Sequence, residues 1–548
     1  MLASTVLALL LQSIVSAANA IKPPGSNIVD TGYARYLGNH TFPNAVAYLG
    51  IPYAEPPLGE LRFRAPVPLN ETRISVDANG RVVDARSYAQ PCIQASSLQG
   101  DAGGAGSEDC LKVNVYAPVG VKKGDKLPVL VYFHGGGYFF GNPATYPMDH
   151  WVNQTPNVVL ITVAYRLAAF GFLSVPEFRD SSNGDFNAGL LDEIEALKWV
   201  QKNVASFGGD PKKVTINGES AGGTFVELHL VIKQSKGLFS SGIAQSVYRT
   251  PLPTPEQNKP MFEYFANAVG CGTGPVALQL ACLRKADISS IARAQDAVNS
   301  PAFNGSEYKA FRVVVDGKYI TDYPTKLIQA GQFTKVPLIV GSTTNETVPI
   351  LPTFDITEAL TTYFPALPEA DVKDIAKEYA PEDFASDLLR NQTVIGDSEL
   401  RCARTIMGTA MDNHGVKTWT YRYNQRNPTQ DPSLGVTHES ENWFLFRGTN
   451  RGFNGTTTFS PMNPVEISFA EEMIAYWISF VRAGNPNTFK LKRSPTWPRY
   501  TLNNRTRIVL QQSPVNSTTI TGSFLEKETT TEVRRCEVVA SKVEGQEC

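Results

Sequence analysis

A chain of 548 residues, 42% hydrophobic and 19% charged, holds enough apolar material to bury a large core, which argues against a disordered or fibrous protein. Its 50 Lys and Arg nearly balance 52 Asp and Glu, a formal charge of −2, so composition supplies no field that would draw in nucleic acid or an anionic membrane surface. Past the N-terminus no apolar stretch reaches the ~18 residues of a membrane span, and no transmembrane segment is expected.

Residues 1–20 read as a signal peptide. Positions 2–20 carry no charge, 7–11 form an apolar run, and Ala18-Asn19-Ala20 has small residues where a signal peptidase needs them. Cleavage is expected after Ala20, with Ala17 as the alternative, although the n-region has no Lys or Arg. Export would put Cys92, Cys110, Cys271, Cys282, Cys402, Cys536 and Cys548 in an oxidising compartment, where they pair and one is left over. N-x-Ser/Thr sequons at Asn39, Asn70, Asn153, Asn304, Asn345, Asn391, Asn454, Asn504 and Asn516 fit a secreted glycoprotein in a host that glycosylates.

Residues 21–548 show no internal repeat, heptad run or low-complexity linker and are expected to form one domain. Within it apolar β-rich runs alternate with loops and helical stretches, which predicts an α/β fold: a large, mostly parallel sheet covered by helices on both faces. Four predicted strands carry the chemistry. The first, 129–133, runs into His134-Gly135-Gly136-Gly137-Tyr138, where residues without Cβ let backbone N–H groups converge on one point. The second, 214–216, leads into Asn217-Gly218-Glu219-Ser220-Ala221-Gly222-Gly223 and a helical stretch over 224–232. Strand, G-x-S-x-G, helix is a tight turn that lifts the Ser220 hydroxyl out of the sheet at a helix N-terminus.

A serine hydroxyl needs a base to accept its proton, and the base needs a carboxylate to hold its tautomer. In a nucleophile-elbow fold the order is Ser, acid, His, so of six histidines His40, His134, His150 and His229 come too early. His414 and His438 flank the predicted strand 418–423, and only His438 follows its carboxyl end, the edge that carries Ser220. His414 reads as a solvated turn residue. For the acid, the strand 336–340 runs into Gly341-Ser342-Thr343-Thr344-Asn345-Glu346 and points to Glu346, with Asp316 after the run 311–315 as the rival. The sequon at Asn345 is therefore expected to be buried and unmodified.

These motifs resemble the type-B carboxylesterase/lipase family, the cholinesterase-like branch of the α/β-hydrolases, and most of all its secreted fungal members. The likeness runs nearly end to end: Gly50-Ile51-Pro52-Tyr53-Ala54, Pro56-Pro57-Leu58-Gly59, Glu108-Asp109-Cys110-Leu111, the glycine loop, Gly189-Leu190-Leu191-Asp192, Phe207-Gly208-Gly209-Asp210-Pro211, the Ser220 turn and Trp497-Pro498-Arg499-Tyr500. It implies Ser220 as nucleophile, His438 as general base and then acid, Glu346 as orienting carboxylate, and the N–H groups of Gly136, Gly137 and Ala221 as oxyanion hole. It suggests that Arg166 pairs with Glu108, with Ala164 and Ala168 standing where the family usually has Asn and Gly. It also pairs Cys92 with Cys110 and favours Cys402 with Cys536; Cys271 and Cys282 close a small loop, which leaves Cys548 single. Cys536 with Cys548 is the rival pairing.

The resemblance implies a secreted serine carboxylesterase acting on small-molecule esters through an acyl-enzyme, with no cofactor and no metal: the cysteines lack paired short spacings and the histidines do not cluster. The short loop from Cys92 to Cys110 holds Ile93, Leu98 and small residues but no aromatic, which argues against a lipid-docking lid and against an aromatic site for a choline head. Short to medium acyl chains are the expected substrates. Tyr138, Phe139 and Phe140 are assigned no role. The alternatives are a lipase, a narrow esterase of a complex natural product, or a binding protein on the same fold, although all three triad positions are filled here. Nothing in the sequence indicates an oligomeric state.

Overall fold

The computed structural model describes residues 27–96, 102–298, 303, 305–346, 354–452 and 455–548. The expected signal peptide, Leu98, and the sequons at Asn304 and Asn454 lie outside the described residues. Fifteen strands are described: β1 (Ile28–Asp30), β2 (Arg35–Phe42), β3 (Ala45–Pro52), β4 (Val82–Ala85), β5 (Lys112–Pro118), β6 (Leu127–Phe133), β7 (Val159–Val163), β8 (Gly209–Glu219), β9 (Ser241–Gln245), β10 (Leu338–Thr343), β11 (Thr418–Tyr423), β12 (Thr449–Arg451), β13 (Thr457–Phe459), β14 (Thr506–Leu510) and β15 (Phe524–Lys527).

All but β12 and β13 belong to one sheet, in the order β1-β2-β3-β5-β7-β6-β8-β9-β10-β11-β14-β15, with β4 beside β2. From β7 to β14 the neighbours are parallel; the flanks are antiparallel, apart from the parallel pair β2 and β4. Strand β6 is an apolar run along its length because both faces of the sheet are covered there. Along β6, Val129, Val131 and Phe133 enter one core and Leu130 and Tyr132 the other. The first core also takes in apolar residues of the helices Ala188–Asn203 and Ala221–Val231, and the second those of Pro464–Ala483.

Register brings the strand ends level. Phe133 pairs with Gly218, Glu219 with Gln245, Gly341 with Gln245, and Thr343 with Tyr423. The segments that follow β6, β8, β9, β10 and β11 therefore emerge along one edge, as expected where parallel strands end in functional loops.

One reading needs correction. Arg166 does not pair with Glu108: it grips Asp192 with two guanidinium nitrogens, at 2.6 and 2.8 Å, and with its own backbone N–H at 3.0 Å. Asp192 lies in the first turns of the helix Ala188–Asn203, directly against the loop after β7, so its carboxylate presents both oxygens to the Arg166 fork. Glu108 is held instead by Arg62 at 2.6 and 2.7 Å, whose remaining donors reach the carbonyls of Leu283, Arg284 and Ala286. The run 311–315 joins no strand, because Asn187 bonds both the N–H and the carbonyl of Val314 and so takes the place of a neighbouring strand. Disulfides join Cys92 to Cys110, Cys271 to Cys282 and Cys402 to Cys536, while Cys548 is a free thiol.

Candidate active site

Ser220 stands between β8 and the helix Ala221–Val231 with φ 60° and ψ −125°, a backbone conformation that costs on the order of 1–3 kcal/mol outside glycine and persists only where neighbours enforce it. The enforcement is steric. A Cβ on Gly218 would meet the Gly222 carbonyl oxygen at 2.2 Å, and one on Gly222 would meet the Phe133 carbonyl oxygen at 2.1 Å. Both G-x-S-x-G glycines are thus required by backbone packed against backbone. The Ser220 N–H is anchored on the Gln245 carbonyl of β9 at 3.0 Å.

The structure brings Ser220, His438 and Glu346 together from three separate strand ends. Ser220 Oγ lies 2.8 Å from His438 Nε2, and His438 Nδ1 lies 2.7 Å from Glu346 Oε2. The other carboxylate oxygen of Glu346 accepts from Ser246 Oγ and from the Thr343 N–H, each at 2.6 Å. Asn345, next to the acid, fastens the His438 loop: it accepts from the Val436 N–H at 2.8 Å and donates its own N–H to the Val436 carbonyl at 3.2 Å. Gly435, at φ 73°, makes this approach possible, since a Cβ there would lie 2.5 Å from Asn345 Oδ1. The Asn345 side chain is therefore half-buried and committed inside the protein.

Burial would raise the Glu346 carboxyl, but His438, Ser246 and the Thr343 N–H hold it below the ordinary carboxylate range. Burial pulls the His438 imidazole down, while Glu219 and Glu346 push it up, to about 10. Glu219 was not singled out from the sequence. Its Oε1 is 3.4 Å from His438 Nε2, on the side of the ring that faces Ser220, and Asn442 donates to its Oε2 at 3.1 Å. Burial raises the Glu219 carboxyl, with His438 opposing. Ser246 also went unread. Neither is detectable from spacing, because each acts across strands: Glu219 reaches His438 from β8, and Ser246 reaches Glu346 from the end of β9.

The glycine loop lies against Ser220. A Cβ on Gly135 would come within 2.9 Å of Ser220 Cβ, and Gly136 and Gly137 have φ 115° and 60°. Among the described residues the N–H groups of Gly136, Gly137 and Ala221 donate to no protein acceptor. The loop is braced from the disulfide segment, where Gln94 exchanges two hydrogen bonds with Gly141, at 2.7 and 2.9 Å, and the Ala95 N–H donates to Phe139 at 2.8 Å. Arg451 lies over the Phe140 ring and is ion-paired with Glu439. Tyr138 is buried core.

The rivals sit elsewhere. Asp316 caps its own turn, accepting from the N–H groups of Lys318, Tyr319 and Ile320 and from Asn187. His414 ends the helix Cys402–Asn413, against the Gln329 carbonyl and the Phe333 ring.

The sheet order and strand-end site define the α/β-hydrolase fold, and comparison with known proteins narrows the class. Residues 26–524 match the Carboxylesterase family. Carboxylesterase 1E of Mus musculus is 31% identical, with 90% of this chain and 92% of the relative covered. The para-nitrobenzyl esterase of Bacillus subtilis is also 31% identical, over 88% of this chain and 94% of that protein. The solved structure of Aspergillus niger EstA superposes with a TM-score of 0.82 at 29% identity, covering 95% of this chain and 99% of that one. The chain belongs to the carboxylesterase family and is a carboxylic ester hydrolase of the cholinesterase-like type.

Proposed function

We propose that the protein is a secreted serine carboxylesterase, a single catalytic domain from residue 21 onward, acting on esters of short to medium acyl chains. The observation that carries the reading is the unbroken chain Ser220, His438, Glu346, with links of 2.8 and 2.7 Å. Ser220 attacks the ester carbonyl as His438 takes its proton. The oxygen that becomes negative is received by the N–H groups of Gly136, Gly137 and Ala221, where each donor is worth on the order of 3 kcal/mol of transition-state stabilisation. His438 then gives its proton to the departing alcohol, and water, activated by the same ring, releases the acid. Glu346 keeps the Nδ1 proton in place and offsets the imidazolium charge as it forms. These steps use side chains and backbone alone.

Three disulfides support export, and the exposed Asn39, Asn70, Asn504 and Asn516 suit glycosylation, whereas Asn391 is 1% exposed and donates inward to the Phe354 carbonyl. Among the described residues no helix is long and apolar enough to cross a membrane. The test is hydrolysis of p-nitrophenyl acetate and butyrate set against long-chain esters and emulsified triglyceride. Ser220→Ala is expected to abolish turnover with the fold intact. Full activity in that variant would refute the assignment, and a jump in rate once the substrate passes its solubility limit would favour a lipase.

A further inference from the structure

Glu399 is a buried carboxyl group that the triad does not use. The helix Asp387–Gly396 passes into a wider turn, Asp397–Arg401, and this wider winding recurs at functional sites. The turn is pinned beside the site. A Cβ on Gly396 would lie 3.0 Å from the Glu346 carbonyl oxygen, Arg401 donates to the Thr344 carbonyl at 2.7 Å, and the Arg249 N–H donates to the Glu399 carbonyl at 2.7 Å. Arg249 follows Tyr248, whose own N–H points at the Ser220 carbonyl, 3.4 Å away.

Glu399 is only 3% exposed, yet among the described residues its carboxyl oxygens have no hydrogen-bond or ion-pair partner. Neither oxygen is among the fully enclosed unpartnered atoms, so both meet open space. Arg312 is built in the same way: Nη1 is held by Thr250, Nε is enclosed without a partner, and Nη2 is neither bonded nor enclosed. The Tyr248 hydroxyl lies against the Thr250 side chain, the same group that holds Arg312. The Arg249 N–H bond to the Glu399 carbonyl and the Arg312 bond to Thr250 set both residues against the segment 248–250 that follows β9 beside Ser220, and Arg312 and His438 both act electrostatically on Glu399.

We propose that Glu399, Arg312 and Tyr248 form a polar specificity subsite beside Ser220 that takes a hydroxyl group carried by the ester substrate. The proposal rests on ester hydrolysis at Ser220 as read above and names the substrate class for it. Burial lifts the Glu399 carboxyl to about 8, against the pull of Arg312 and His438, so near neutrality it is mostly the uncharged acid and both donates and accepts. Arg312 only donates. A substrate hydroxyl accepts from Arg312 and exchanges hydrogen bonds with Glu399, whereas a methyl in the same place would leave the buried Glu399 and the half-buried Arg312 Nη2 unpartnered. A cation is opposed by Arg312.

The test compares esters that differ by hydroxyl against methyl or methylene, with released acid titrated at constant pH. Methyl 3-hydroxybutyrate against methyl 3-methylbutyrate probes the acyl side, and 2-hydroxyethyl butyrate against propyl butyrate the alcohol side. On at least one side the hydroxylated ester is expected to have the higher kcat/KM by about tenfold or more, since a site built to bond a hydroxyl rejects its apolar analogue. Glu399→Leu should remove or reverse that preference, Glu399→Gln should retain most of it, and Arg312→Met, a second route to the same loss, should lower it. A wild type that favours the apolar ester on both sides, or selectivity unmoved by both Glu399→Leu and Arg312→Met, would overturn the subsite alone. A folded wild type that fails to hydrolyse even p-nitrophenyl acetate would instead overturn the reading of Ser220, and the subsite with it.

Discussion

Glu219 places a second carboxylate against the His438 imidazole, and replacing it with Gln isolates what that charge does. At 3.4 Å, the separation of Glu219 Oε1 from His438 Nε2, two unit charges interact by about 5 kcal/mol at an effective dielectric constant of about 20, equivalent to roughly three and a half pKa units. Two features reduce this. The His438 side chain keeps 22% of its surface accessible, and Glu219 is itself raised by burial and so carries only part of a charge near neutrality. We expect Glu219→Gln to lower the His438 pKa by roughly one to two units. The sign follows from the role proposed for His438: a base must be neutral to accept the Ser220 proton, so the raised pKa costs activity as pH falls through it, and lowering it extends activity toward acid. The assay is kcat/KM for p-nitrophenyl acetate across pH, with Gln chosen because its amide preserves shape and leaves an acceptor for Asn442. An acidic limb that stays in place, or moves toward alkaline pH, would refute the electrostatic argument.

Ser246→Ala removes a 2.6 Å bond to the buried Glu346 carboxylate, of a kind worth about 1.5–3 kcal/mol. We expect kcat to fall about tenfold with KM little changed, because the bond lies behind the imidazole, away from substrate; steady-state kinetics will show whether the loss falls on KM instead. Gly136→Ala places a Cβ 1.8 Å from the Phe140 carbonyl oxygen at φ 115°, so the loop must move, and turnover should drop by about a hundredfold or more while Ser220 still reacts slowly with a phosphonate. Glu547→Ala leaves the buried Arg249 without its ion-pair partner and frees the Thr325 N–H held at 3.2 Å; this should destabilise the protein by about 3–5 kcal/mol, seen as a lower thermal midpoint.

Much of the edge where Ser220, His438 and Glu346 meet could be read from sequence because local pattern and backbone geometry coincide there. The strand over 418–423 appears with the bounds expected, the glycine loop follows the apolar run of β6, and Glu346 and His438 are separated from Asp316 and His414 by their place after strand ends. Composition and short spacing could not show partners chosen across the fold. Arg166 had two buried carboxylates to choose from, and only the packing of the helix Ala188–Asn203 against the loop after β7 put Asp192 within its fork. The run 311–315 has the apolar character of a strand, but a side chain, Asn187, meets its backbone. Glu219, Ser246 and Glu399 acquire their surroundings only when strands and helices distant in sequence close around them. Sequence alone determined which elements form and at which edge their loops emerge, since periodicity, glycine and strand order are local or topological properties. The tertiary structure decided which charge faces which, because burial and distance set the strength of an electrostatic contact and neither exists until the chain has folded.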